Sequence, residues 1–145
     1  MTSTPEGFQP HTRKSGFTDP WEPIYHRPHD NGISLGLRAG DAHANSRGFV
    51  HGGLLSALCD NAMGLSCLPH LEDSALPALT GLVTVNLNLD FLGSARVGQW
   101  LEFRAEVTRT GRSLSFASAT VLADGEPCAR ATGVFKVQRG SGDKP

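Results

Sequence analysis

Alternation of apolar and polar residues dominates the second half of the chain. Val83, Val85, Leu87, Leu89 and Phe91 occupy one set of alternate positions, and Thr84, Asn86, Asn88 and Asp90 occupy the other. A period of two marks a strand with one face on a core and one toward water. A second run sets Leu101, Phe103, Ala105 and Val107 against Glu102, Arg104, Glu106 and Thr108. Gly111 turns it into a third run, Ser113 to Leu122. Asp124-Gly125, a dipeptide favoured in tight hairpins, leads into a fourth, Cys128 to Val137. Links this short predict a four-stranded antiparallel meander. Upstream, Ile33, Leu35 and Leu37 alternate with Ser34, Gly36 and Arg38, and Gly40 with Asp41 ends that first strand.

Between the first strand and the meander, Leu54 to Leu68 reads LLSALCDNAMGLSCL, with Gly52 and Gly53 before it and Pro69 after. Its length and its apolar or small residues predict a buried central helix of about four turns. The fold class expected is therefore α+β, a curved antiparallel sheet wrapped around one long helix, over residues 31–138. Residues 1–30 hold five of the nine prolines and read as an irregular lead-in arm, which Phe8, Phe17, Trp21 and Tyr25 could fasten to a surface. Residues 139–145 read as a disordered polar tail. A helix without a solvated face needs cover from several sides, so a homo-oligomer is expected.

Composition narrows the setting. A chain of 145 residues fits one domain, and no apolar run reaches the roughly 20 residues of a membrane helix. The first residues lack the apolar stretch of a signal peptide. The three cysteines, Cys59, Cys67 and Cys128, form no close pair, which suits reduced thiols in a cytoplasmic protein. A net charge of −1 with scattered basic residues argues against a nucleic-acid partner.

On a helical projection Leu54, Leu55, Leu58, Cys59, Ala62, Met63 and Leu65 share one side. Ser56, Ala57, Asp60, Asn61, Gly64, Cys67 and Leu68 share the other. Asp60 is the one charge in this stretch, and the small residues around it leave room for a ligand or another backbone. A buried carboxylate there is either paired structurally or reactive. Just before the helix, His51-Gly52-Gly53 lets a ligand approach the free N–H groups and positive dipole of the first turn. That is a potential oxyanion hole, with Asp60 two turns on able to activate water or to attack. No HExxH occurs and the closest histidine pair, His26 and His29, lies in the arm, so no metal is expected. No GxSxG elbow surrounds Ser56, and Cys59 is no better a nucleophile.

Asn45, then GFVHGG at 48–53, then Asp60, followed by GLVTVNLNLDFLGSARVG and the turn TGRSLSF, resembles the hotdog-fold thioesterases of the phenylacetic-acid-pathway (PaaI-like) type. The likeness runs from about Ile33 to Val137. It implies hydrolysis of an acyl-CoA without metal or organic cofactor, coenzyme A being part of the substrate. By this resemblance the Gly52 N–H binds the thioester carbonyl, His51 and Asn45 position that end, Asp60 is general base or nucleophile, and Thr84 assists the attacking water. Gly53, Ser94, Arg96, Gly111, Arg112 and Ser113 become candidate coenzyme contacts. The resemblance further implies a dimer or dimer of dimers with sites between subunits. The arm has no counterpart in it, and either covers the sheet or narrows the acyl tunnel. A dehydratase of this fold would need a helix histidine, and none lies between Leu54 and Leu68. A non-catalytic acyl-CoA sensor is the other reading.

Overall fold

A computed structural model of the chain describes residues 3–140. Its elements are β1 (Gln9–Pro10), β2 (Tyr25–His29), β3 (Gly32–Arg38), α1 (Gly52–Leu71), β4 (Leu79–Phe91), β5 (Trp100–Thr110), β6 (Leu114–Ala123) and β7 (Glu126–Arg139). The strands form one sheet in the order β1-β2-β3-β5-β6-β7-β4, antiparallel throughout. Helix α1 packs against β3, β4, β5, β6 and β7. Five strands span about 19 Å, wider than the 10–12 Å of a helix, so the sheet must curl around α1. The concave face is lined by Leu35, Leu101, Phe103 and Val121. Ala117, Ala119 and Ala131 among them are small enough to let the helix come close.

The central helix is there, but longer than expected. It starts at Gly52 and runs through Pro69 to Leu71. Pro69 loses its own N–H bond to the preceding turn and its ring crowds the Leu65 carbonyl, but it leaves the N–H donors of the residues after it free to carry the helix on to Leu71. Cys67, placed on the open side by projection, is fully buried, while Leu65 is only partly so. Ser66 donates to the Ala62 carbonyl at 2.7 Å and accepts from the Ile33 N–H at 3.0 Å, tying α1 to the start of β3.

The meander has three strands, not four. Strand β4 pairs with β7 at the far edge, because β5 already has β3 on one side and β6 on the other. Residues 92–99 make the crossing; extended, they span up to about 27 Å, more than the three strand spacings of about 14 Å. The lead-in arm is not wholly irregular either. Its last residues form β2, which extends the sheet beside β3, and Phe8 is buried edge-on against Trp100 with ring centroids 5.2 Å apart. Arg139, expected in the tail, ends β7 and donates to the carbonyls of Leu71 and Pro77, closing the helix C-terminus. Residues 141–145 of the tail lie outside the described residues.

Alternation put Glu102 on the wet face of β5, yet the arm covers it. Its carboxylate accepts from the Ser34 hydroxyl at 2.6 Å, from Arg27 at 3.1 Å and from Arg104 at 3.2 Å. Arg27 also donates to the Glu6 carbonyl, so the cluster fastens the arm to the sheet. Burial pushes the Glu102 carboxyl up, but the Ser34 hydroxyl, then Arg104 and Arg27, outweigh it, and the net shift is downward from 4.5. A carboxyl lowered on folding stabilises fully above its unfolded value and loses that contribution as pH falls through its folded one. Glu102→Gln should therefore lower stability by about 2 kcal/mol at neutral pH. The gap to the wild type in urea melts should close on acidification below the ordinary glutamate range; a gap independent of pH would refute the ionic account.

Candidate active site

The loop before α1 is built to present one backbone N–H. Asn45 Oδ1 accepts from the N–H groups of Arg47 and Phe49 at 2.9 and 3.2 Å, folding a turn that returns the chain toward the helix. The Val50 N–H donates to the Ala95 carbonyl at 2.8 Å and Phe49 bridges to Arg96, fixing this loop to the 92–99 crossing. Buried His43 accepts the Gly40 N–H on Nδ1, so its Nε2 carries the proton and donates to the Trp21 carbonyl at 3.0 Å. His51 is the helix N-cap, its Nδ1 accepting the Gly53 N–H at 2.8 Å. Gly53 is thereby engaged. The Gly52 N–H forms no hydrogen bond among the described residues, and the Phe91 ring lies on the side of Gly52 where a Cβ would stand. Ser94 and Arg96 stand at this end too, with the Arg96 guanidinium 4.6 Å over the Phe49 ring.

Asp60 is the only carboxylate on α1, half-buried on the side the core leaves open. Thr84 Oγ1 donates to its Oδ1 at 2.6 Å. Simple alternation put Thr84 opposite Leu87 and Leu89, but a bulge at Val85 shifts the β4 register between Thr84 and Asn86. The extra residue turns Thr84 inward with Leu82, Leu87 and Leu89, while Val83 and Val85 face out. A cleft of about 270 Å³ opens here, lined by Asp60, Asn61, Gly64 and Leu68 of α1, Leu82 and Thr84 of β4, and Phe135 of β7. Burial, with Cys128 and Asp60 nearby, pushes the Cys59 thiol up to about 12, and burial pushes Cys67 up to about 11. Neither offers a thiolate at neutral pH.

The predicted site residues thus fall into two groups. Asn45, His51, Gly52, Gly53, Ser94 and Arg96 surround the helix start. Asp60 and Thr84 meet two turns on. Gly111, Arg112 and Ser113 form the β5–β6 turn, where the Ser113 carbonyl accepts from Val137, the β7 partner of the cleft residue Leu82. Eight residues of helix separate Gly52 from Asp60, which is roughly 12 Å along the axis. One carbonyl cannot touch both within one chain.

Several cleft residues escaped the sequence. His11, Arg13 and Lys14 of the arm form one wall, and nothing in a proline-rich segment signals that it will fold back between the two ends of the curled sheet. Asn61 also faces the cleft, on the side of the helix where the projection put it with Asp60. Among the described residues no group of three or more His, Cys, Asp or Glu side chains is placed to hold a metal. Among the described residues no helix is long and apolar enough to cross a membrane.

The model of the thioesterase superfamily matches residues 47–129, which takes in the helix, the cleft carboxylate and most of the sheet. A candidate esterase of Pseudomonas aeruginosa is 39% identical over 136 residues, covering 93% of this chain and 98% of that protein. Human acyl-coenzyme A thioesterase 13 is 30% identical over 84 residues, 57% of this chain and 54% of its own length. A Streptococcus mutans protein crystallised bound to acetyl-coenzyme A has the same fold, with a TM-score of 0.71 over 82% of this chain and 91% of that one at 23% identity. With one long helix in a curled antiparallel sheet and a matched family model over more than half its length, the chain belongs to the thioesterase superfamily and has the hotdog fold.

Proposed function

We propose that this thioester hydrolase acts on an acyl-CoA, releasing the free acid and coenzyme A, at sites shared between two copies of the chain. The observation that carries the reading is the Thr84–Asp60 hydrogen bond of 2.6 Å at the mouth of a cleft, set two turns from the unengaged Gly52 N–H. One copy supplies Gly52, whose N–H and helix dipole polarise the thioester carbonyl, with His51 holding Gly53 and Asn45 shaping the loop. The other supplies Asp60, as general base toward water or as nucleophile, with Thr84 orienting the attacking oxygen. The acyl–sulfur bond breaks and the thiol leaves. Ser94, Arg96, Gly111, Arg112 and Ser113 are our candidate coenzyme contacts, Arg96 and Arg112 by charge. Strand β4 is a sheet edge carrying exposed Val83 and Val85, which supports a dimer or dimer of dimers. Three buried free thiols agree with a cytoplasmic enzyme.

Thiol release from acetyl-, hexanoyl- and phenylacetyl-CoA tests the reading. Turnover of at least one is expected, at a kcat/KM of about 10⁴ per molar per second or above. Tight binding of all three without release would instead make the protein an acyl-CoA sensor.

A further inference from the structure

The cleft beside Asp60 is chemically two-sided. Its floor is apolar, with Leu35, Leu58 and Phe135, and at about 270 Å³ it is below the usual range for a drug-sized ligand, so it suits an acyl group and not a whole coenzyme. Its outer wall is different. The arm turns back from β1 to place His11, Arg13, Lys14 and Ser15 across the opening, held by the His11 N–H on the Ile24 carbonyl at 2.9 Å and by buried Thr18. Lys14 pairs with Glu22 at 3.0 Å, whereas Arg13 has no carboxylate within ion-pair distance among the described residues. Burial, with the His26 ring 5.4 Å away, holds the His11 imidazole below its usual value, so His11 enters as a neutral hydrogen-bonding group. Beside a purely hydrocarbon tail Arg13, exposed at the cleft rim, would have only water to bond, whereas an anionic terminus would give its guanidinium a partner.

We infer that the arm makes this cleft selective for acyl groups ending in an anionic oxygen function, with Arg13 as the residue that binds a terminal carboxylate while the leucine floor takes the methylene stem. The inference rests on the hydrolase reading above and adds to it the substrate class. A guanidinium meets a carboxylate through two parallel N–H donors, a match Lys14 cannot supply while it is paired with Glu22. The phosphates of coenzyme A present the same anionic chemistry, so the test must separate the two sources.

Glutaryl-CoA and 5-methylhexanoyl-CoA have the same shape and differ in one carboxylate, and the corresponding thioesters of N-acetylcysteamine lack all phosphates. The wild type should prefer glutaryl over 5-methylhexanoyl in kcat/KM by about tenfold in both series. Arg13→Gln should collapse that ratio toward one, and Arg13→Lys should restore part of it, which also shows that the loss is not misfolding. A wild type that hydrolyses both CoA esters without preference overturns the inference and leaves the hydrolase reading intact. So does an Arg13→Gln defect equal for both acyl groups and absent with N-acetylcysteamine, since Arg13 would then hold phosphate. A wild type inert toward every thioester overturns both.

Discussion

Asp60→Asn should lower kcat about a thousandfold while leaving KM within a few-fold of the wild type. General-base contributions of 10² to 10⁴ are usual, and 10³ corresponds to about 4 kcal/mol of barrier. The amide has the shape of the carboxylate, and its oxygen can still accept from Thr84, which now does so at 2.6 Å. What it cannot do is take a proton from water or form an acyl intermediate. The residue is only half-buried, so the melting temperature should stay near that of the wild type. Thiol release measures the rate, and titration with a non-hydrolysable thioether measures binding. Single turnover in ¹⁸O-water then tests for the nucleophile. If water opens the anhydride at the aspartyl carbon, Asp60 passes its own ¹⁶O to the acid in the first turnover; a general base, like opening at the acyl carbon, delivers solvent oxygen at once. Undiminished turnover by Asp60→Asn would remove the carboxylate from the mechanism altogether.

The interior of the fold was legible because burial on one face leaves a periodic trace. Leu101, Phe103 and Ala105 face in as their alternation says, and Leu54, Leu58 and Ala62 do so as the helical projection says. What periodicity cannot carry is pairing order and local irregularity. Nothing in the pattern of β4 says that it lands beside β7, since that follows from β5 already being flanked by β3 and β6. The same holds for the bulge at Val85. Strict alternation sends Thr84 away from the helix, and one extra residue brings it to Asp60. Glu102 and the arm fail together for one reason. Residues with polar or proline-rich local sequence are buried here by each other, through contacts between positions about 75 apart such as Arg27 and Glu102. The site residues were legible as a string and not as a place, because Gly52 and Asp60 are near in sequence and roughly 12 Å apart along the helix.

That separation leads to the second large effect, which begins with Gly52→Pro. Gly52 is the first residue of α1, a position where proline is well tolerated, since its missing N–H would have no partner inside the helix. His51 before it is already extended, at φ −70° and ψ 134°, as a residue preceding proline must be. A Cβ would stand 3.2 Å from the Phe91 ring, which is exposed and can shift by a few tenths of an ångström. The substitution therefore removes one N–H and little else. If that N–H binds the oxyanion, kcat should fall by about 10² to 10³ with the fold retained. If the site is shared, a Gly52→Pro chain still carries a sound Asp60, and an Asp60→Asn chain still carries a sound Gly52. Unfolding and refolding the two inactive proteins together at equal concentration would give about half mixed dimers, each with one of two sites intact, so about a quarter of wild-type activity should return. Refolding either variant alone should restore none. If the mixture is as inactive as its components although native mass measurement shows mixed dimers, both groups serve within one chain, and the 12 Å between them would have to be closed by a change in the helix itself.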